Sequence, residues 1–242
     1  MRAKAAAHIN KKSVIKWRSH EPSRLETFSD AVFAFALTLI IVSIEVPHSF
    51  DDLFETMKGT LSFAACFAML FLIWNSQNVF FRRYGLSDNT TVVLNAILLF
   101  VVLVYVYPMK FLALLLFTNH TYMHDGQILQ MGIKEGQSTS LMLIYGLGYS
   151  VIYALFYLMY LNAQRQAKHL ELTPREQFET KTISSINLIS ALIGVLAMII
   201  ALLLPTKTSG LSGFVYFLIP ICYSFWFSYR GKKGREKFAQ PA

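Results

Sequence analysis

Charge is scarce in this chain: only 15% of its 242 residues are Asp, Glu, Lys or Arg, while 55% are hydrophobic. That balance excludes an ordinary soluble domain, in which about a quarter of the residues are charged. Cysteine is nearly absent. Cys66 and Cys222 both fall inside apolar stretches, so a disulfide framework is excluded and two packed thiols are expected. No histidine lies within the long apolar runs, and the chain contains no H-E-x-x-H, no G-x-S-x-G and no Walker A loop. Zinc hydrolysis, serine hydrolysis and nucleotide hydrolysis are left without their residues, so the chain is read as no enzyme, with no metal and no cofactor. The apolar runs lack regular polar alternation, which excludes a transmembrane β-barrel. The opening stretch has no second copy further along, so no internal repeat is expected.

What the chain does have is six apolar runs of about twenty residues, near 27–47, 57–81, 91–117, 139–161, 183–204 and 211–229. Each can cross a hydrocarbon core of about 30 Å as a helix, and their Leu, Phe, Ile and Ala content favours helices. The expected fold is therefore an all-α membrane protein with six transmembrane helices in one domain, 24–230, between a basic arm, 1–23, and a basic tail, 231–242. The net charge of +8 is not a nucleic-acid footprint, because the cations sort by side. Arg18 and Arg24 before the first span, Arg82 and Arg83, Arg165 and Lys168, and Arg230 to Lys237 after the last span alternate with connections holding only Lys58, Lys134 and Lys207. By the positive-inside rule both termini are cytoplasmic, in the cell membrane. The arm carries no cleavable signal, since the span after it is long and acidic, and it is expected at the cytoplasmic leaflet.

Local signals place the ends of the helices. Gly85 reads as the stop of the second span, and Asp88 or Asn89 as the N-cap of the third. A short amphipathic helix is expected to start at Thr173-Pro174. Gly146 and Gly148 in the fourth span read as close helix packing. His120 and His124, beside Asp125, are read as residues of a polar outer loop rather than as metal ligands.

Two carboxylates stand at the ends of the first span. With Phe35 at zero on a helix turning about 100° per residue, Phe28, Ala31, Leu39, Val42 and Val46 fall within about 40°, and Thr38 about 60° to one side. Asp30 falls about 140° away, so it does not share a surface with Phe35. If the Phe35 stripe lines a pore or a subunit interface, Asp30 points back into its own protomer. Its expected partners are Arg24, the end of the second span from Trp74 to Asn78, and Asn95. Such a set ties helices together and avoids an unpaired charge in low dielectric, a structural role favoured over direct ion binding. Glu45, near the outer end, joins Asp51, Asp52 and Glu55 in an acidic mouth that attracts cations, or in a solvated loop.

Arg24, Phe28, Ser29 and Asp30, followed by an apolar helix with Thr38, resemble the R-x-x-x-F-S-D signature of the transmembrane protein 175 family of potassium channels, found in lysosomes and prokaryotes. Trp74, Asn78, Asn95 and Pro108 support the resemblance, which covers about the first half of the chain. It implies a homotetramer of the prokaryotic single-unit type, with the first helix lining a central pore and K+ as the permeant ion. It further implies a hydrophobic constriction at Phe35, Leu39 and Val42, and a part in potassium preference for Thr38. The chain departs from the family in having Gln77 and Asn78 where histidine is common, and Phe35 where an aliphatic residue is usual. A secondary transporter is the alternative reading; it would require broken helices and a midplane site.

Overall fold

The computed structural model describes residues 16–19, 21–42, 48–50, 53–54, 57, 60–117, 121–124, 127–130 and 137–238. Six α-helices account for most of them: α1 (Arg24–Val42), α2 (Thr60–Tyr84), α3 (Asn89–Phe117), α4 (Gln137–Arg165), α5 (Pro174–Leu203) and α6 (Leu218–Phe238), with a 3-10 segment, Ser209–Phe217, leading into α6. Among the described residues, five helical stretches are long and apolar enough to cross a membrane: Thr60–Tyr84, Asn89–Leu115, Ser138–Arg165, Pro174–Leu203 and Ser209–Phe238. α1 supplies a further 19 residues, about 28 Å of helix. The remainder of its expected span, 43–47, lies outside the described residues.

Helix starts follow side-chain chemistry. The backbone N–H of Ser23 donates to Glu26 at 3.1 Å and the Glu26 N–H donates back to the Ser23 hydroxyl at 3.2 Å, a capping box opening α1. Gly85, at φ +60°, ends α2 with its N–H on the Phe81 carbonyl. Asp88 caps α3 by accepting from the Thr91 hydroxyl at 2.6 Å, and it also receives the Asn162 amide of α4 at 3.1 and 3.2 Å. Partial burial opposes ionisation of Asp88, but hydrogen bonds from Thr91, Gln166 and Asn162 outweigh it and hold the carboxyl at about 2.

The structure corrects two expectations. Thr173 and Pro174 do start a helix, through a Thr173–Glu176 capping box, but it is not a short separate one: it continues unbroken to Leu203 as α5. Residues 174–182 carry buried Phe178, Thr180 and Thr182, so the helix gains packing and has no reason to stop at the membrane surface. The last span is likewise longer than expected, running as α6 to Phe238. The bundle itself is all-helical, as expected, and the outer loop adds one small element. Thr121–His124 and Gln127–Gln130 form an antiparallel hairpin in the outer loop, Thr121 opposite Gln130 and His124 opposite Gln127. The side chain of His124, and the whole of His120, lie outside the described residues.

The helices are arranged as a chain of neighbours. α1 lies at one edge against α2 and α3, α3 packs on α4, α4 lies along α5, and α6 lies at the far edge against α5. Glycine sets the closest approach: Gly146 stands against Met198 and Gly194 of α5, and Gly148 against the ring of Tyr105 on α3. Tyr105 donates to the Tyr145 carbonyl, and Tyr145 donates to the Pro108 carbonyl at 3.0 Å, fastening α3 to α4. A second core, at the basic end of the bundle, joins Phe80, Tyr84 and Tyr160, with ring centroids 5.1 to 5.7 Å apart.

Candidate functional site: the first helix and its polar anchor

α1 divides into two faces. Ser29, Phe33, Ala36 and Ile40 are buried against α2 and α3, a stripe centred about 130° from Phe35 on the helical wheel. On the other side Phe28 (62% exposed) and Phe35 (57% exposed) stand free with Ala31 and Thr38. Leu39 sits at the flank, half-buried against the core, and Val42 is the last described position of the helix, its side chain outside the described residues. The Thr38 hydroxyl donates to the Ala34 carbonyl at 2.9 Å, which turns it along its own helix and leaves its oxygen lone pairs toward the open face.

The buried side of α1 is fixed by amides. Gln77 of α2 donates to the Asn95 carbonyl oxygen at 2.5 Å, Asn95 of α3 donates to the Ser29 hydroxyl at 2.9 Å, and Ser29 donates to its own Leu25 carbonyl at 2.8 Å. All three side chains are essentially inaccessible, so every link saturates a group that would otherwise be orphaned in low dielectric. Beside them the Trp74 indole N–H donates to Asp30 at 2.6 Å. Asp30 thus reaches its own protomer, although it remains exposed at the edge of the helix.

Two members of the expected set stand elsewhere. Arg24 is exposed and makes no ion pair among the described residues; six residues from Asp30, it is about 9 Å along the axis and about 120° around it, out of reach. Asn78 is not in the amide chain. Its neighbour Gln77 takes that place, since a step of about 100° turns only one of the two toward α3. Glu45, Asp51 and Asp52 lie outside the described residues.

Sequence reading missed the clamp beneath this site. Arg18 forms a forked ion pair with Glu176, Nη1–Oε1 and Nη2–Oε2 both 3.1 Å, and its Nε donates to the Leu170 carbonyl at 3.0 Å. Glu176 also accepts the backbone N–H groups of Lys16 at 3.0 Å and Thr173 at 2.9 Å, so four donors surround a carboxylate that is almost fully buried. The Arg18 N–H in turn donates to the Arg82 carbonyl at 2.9 Å, and the Arg82 guanidinium lies 5.0 Å from the Trp17 ring centroid. The Thr-x-x-Glu spacing is itself a capping-box pattern, but no local pattern pairs Glu176 with an arginine 158 residues away.

The model of the endosomal/lysosomal potassium channel TMEM175 family matches residues 24–108, which contain α1, α2, most of α3 and the whole amide anchor. A protein named "Potassium channel" from Marivirga tractuosa is 41% identical over 219 residues, covering 86% of this chain and 88% of its relative. The chain belongs to the TMEM175 family. A potassium channel from Chamaesiphon minutus is 30% identical over 101 residues, 38% of this chain and 50% of that protein. Among solved structures, a threonine-to-alanine variant of the potassium channel MtTMEM175, crystallised with a nanobody fusion, aligns with TM-score 0.75 at 39% identity over 87% of this chain and 94% of that one. The crystal structure of a lysosomal potassium-selective TMEM175 homologue from Chamaesiphon minutus, at 20% identity and TM-score 0.53, shares the fold. These TMEM175 relatives are named as channels, not enzymes, and the family places the chain among multi-pass membrane proteins.

Proposed function

We propose that four copies of this chain surround a central pore lined by α1 and conduct K+ passively across the cell membrane, with both termini cytoplasmic. The observation that carries the reading is the open face of α1. A helix at the edge of its protomer exposes Phe28, Ala31, Phe35 and Thr38, while its opposite side is held by the Asn95–Ser29 and Trp74–Asp30 bonds, Asn95 being fixed in turn by Gln77. A helix held that rigidly from behind presents its front at a fixed angle, as a narrow pore requires. That the relatives of similar length and sequence are potassium channels supports the same reading.

In this arrangement Phe35, Leu39 and Val42 ring the axis and stop flow by narrowing and dewetting, and the Thr38 ring, with oxygen lone pairs facing inward, favours K+. Glu45, Asp51 and Asp52 make the outer mouth negative and raise the local cation concentration. Asp30, Trp74, Ser29, Gln77 and Asn95 hold the angle of α1 and do not touch the ion. The test is single-channel recording of the purified protein in planar bilayers under a KCl gradient, with NaCl substituted on one side. Unitary steps reversing toward the potassium potential are expected, with larger conductance for Phe35→Ala. A tetramer that stays silent while liposomes take up solute in a saturable, proton-coupled manner would replace the channel by a transporter.

A further inference from the structure

α6 has two faces of opposite character. Tyr223, Trp226, Arg230 and Gly234 turn toward α5: the Tyr223 hydroxyl lies 2.8 Å from that of Ser190, Arg230 donates to the Thr182 hydroxyl at 2.9 Å and the Phe178 carbonyl at 3.0 Å, and Gly234 lies against the Phe178 ring. On the outer face a shallow groove of about 590 Å³ runs along the helix, lined by Pro220, Ile221, Ser224, Phe225 and Ser228. With Ile221 at zero, Ser224, Phe225, Ser228, Lys232 and Arg235 all fall within about 60°, so the groove leads directly to two cations. Lys232 and Arg235 are exposed, and Glu236 at the rim pairs with neither among the described residues.

The order along this face is apolar, then hydroxyl, then cationic. From Ile221 to Arg235 it covers about 21 Å of helix, close to one leaflet's hydrocarbon plus headgroup depth, about 20 to 22 Å. Trp226 and Tyr229 sit where the apolar part gives way to the charged part, the usual level of the membrane interface. We propose that this face is a docking site for an anionic phospholipid, an acyl chain lying in the groove and the phosphate held between Lys232 and Arg235. Charge complementarity selects this occupant. A second copy of the chain would bring more positive charge, since the helix ends gathered at this level carry Arg82, Arg83, Arg165 and Arg175.

The test is native mass spectrometry of the purified full-length protein in detergent, titrated with phosphatidylglycerol or phosphatidylcholine. Preferential retention of phosphatidylglycerol is expected, falling about thirtyfold in the double variant Lys232→Gln/Arg235→Gln from the attraction of two surface cations. The matched double variant Lys233→Gln/Lys237→Gln removes the same charge about 120° to 160° from the groove and is expected to bind like the wild type. Ser224→Trp fills the groove, keeps the charges and is expected to lose retention as well. Equal retention of the two lipids, or equal losses in the two double variants, would overturn the site in favour of diffuse attraction. Lipid counting needs no current, so a silent bilayer leaves this site standing and a missing lipid leaves the channel reading standing.

Discussion

Replacing Asn95 by Leu removes both hydrogen bonds that Asn95 makes while keeping the branching and the number of side-chain heavy atoms. The Ser29 hydroxyl keeps its donation to Leu25, so its loss is small. Gln77, 2% exposed, loses the acceptor of its amide. Leaving a buried donor unpaired costs about 1 to 3 kcal/mol, whereas hydrogen bonds between membrane helices average about 0.6 kcal/mol because the unfolded chain also finds partners. Weighing both, Asn95→Leu should destabilise the protein by about 2 kcal/mol. Gln77→Leu alone should cost about 1 kcal/mol, and the double variant should cost less than the sum, because the orphaned amide is gone. The assay is a double-mutant cycle by reversible unfolding in mixed micelles. A coupling energy within about 0.3 kcal/mol of zero, the level of independent sites, would refute the claim that these side chains act as one unit.

Arg18→Ala strips the fork from Glu176 but leaves two backbone donors, so a loss of about 3 kcal/mol is expected, at the low end for breaking a buried pair; faster proteolytic cleavage of the N-terminal arm should accompany it. Gly148→Ala drives a methyl into the Tyr105 ring and should cost about 1 to 3 kcal/mol, read as a lowered melting temperature. Asp88, held at about 2, is below its unfolded value, so its stabilisation is complete above about pH 4 and is lost as pH falls toward 2. After allowance for its partial exposure this amounts to about 1 kcal/mol, and Asp88→Asn should flatten that part of the pH–stability curve.

Membrane class and helix number were legible because a bilayer leaves the backbone almost no alternative to an unbroken apolar helix. The two-faced character of α1 was legible too, since Phe35 and Ser29 differ by a fixed rotation. Helix ends were less so: α5 and α6 run on past their apolar stretches because Phe178, Arg230 and Gly234 pack together, and hydropathy carries no trace of that contact. The choice of Gln77 over Asn78 turned on a single residue of helical phase, finer than a boundary estimate resolves. The Arg18–Glu176 clamp was invisible for a simpler reason: an isolated arginine in a basic arm looks like any other.

The clamp also limits how α1 can travel. The Arg18 and Ser19 N–H groups are fastened to the end of α2, and Ser23 opens α1. Four residue steps between these points reach at most about 14 Å at full stretch. The helix therefore hangs from a short leash at its base, and further along its buried residues, Ser29 to Ile40, seat it against α2 and α3. A piston-like slide along the bundle axis would pull that leash taut. A swing about the base would leave the leash slack but would have to break the Ser29 link and unseat Phe33, Ala36 and Ile40, so the buried face of α1 opposes the one motion that the leash permits.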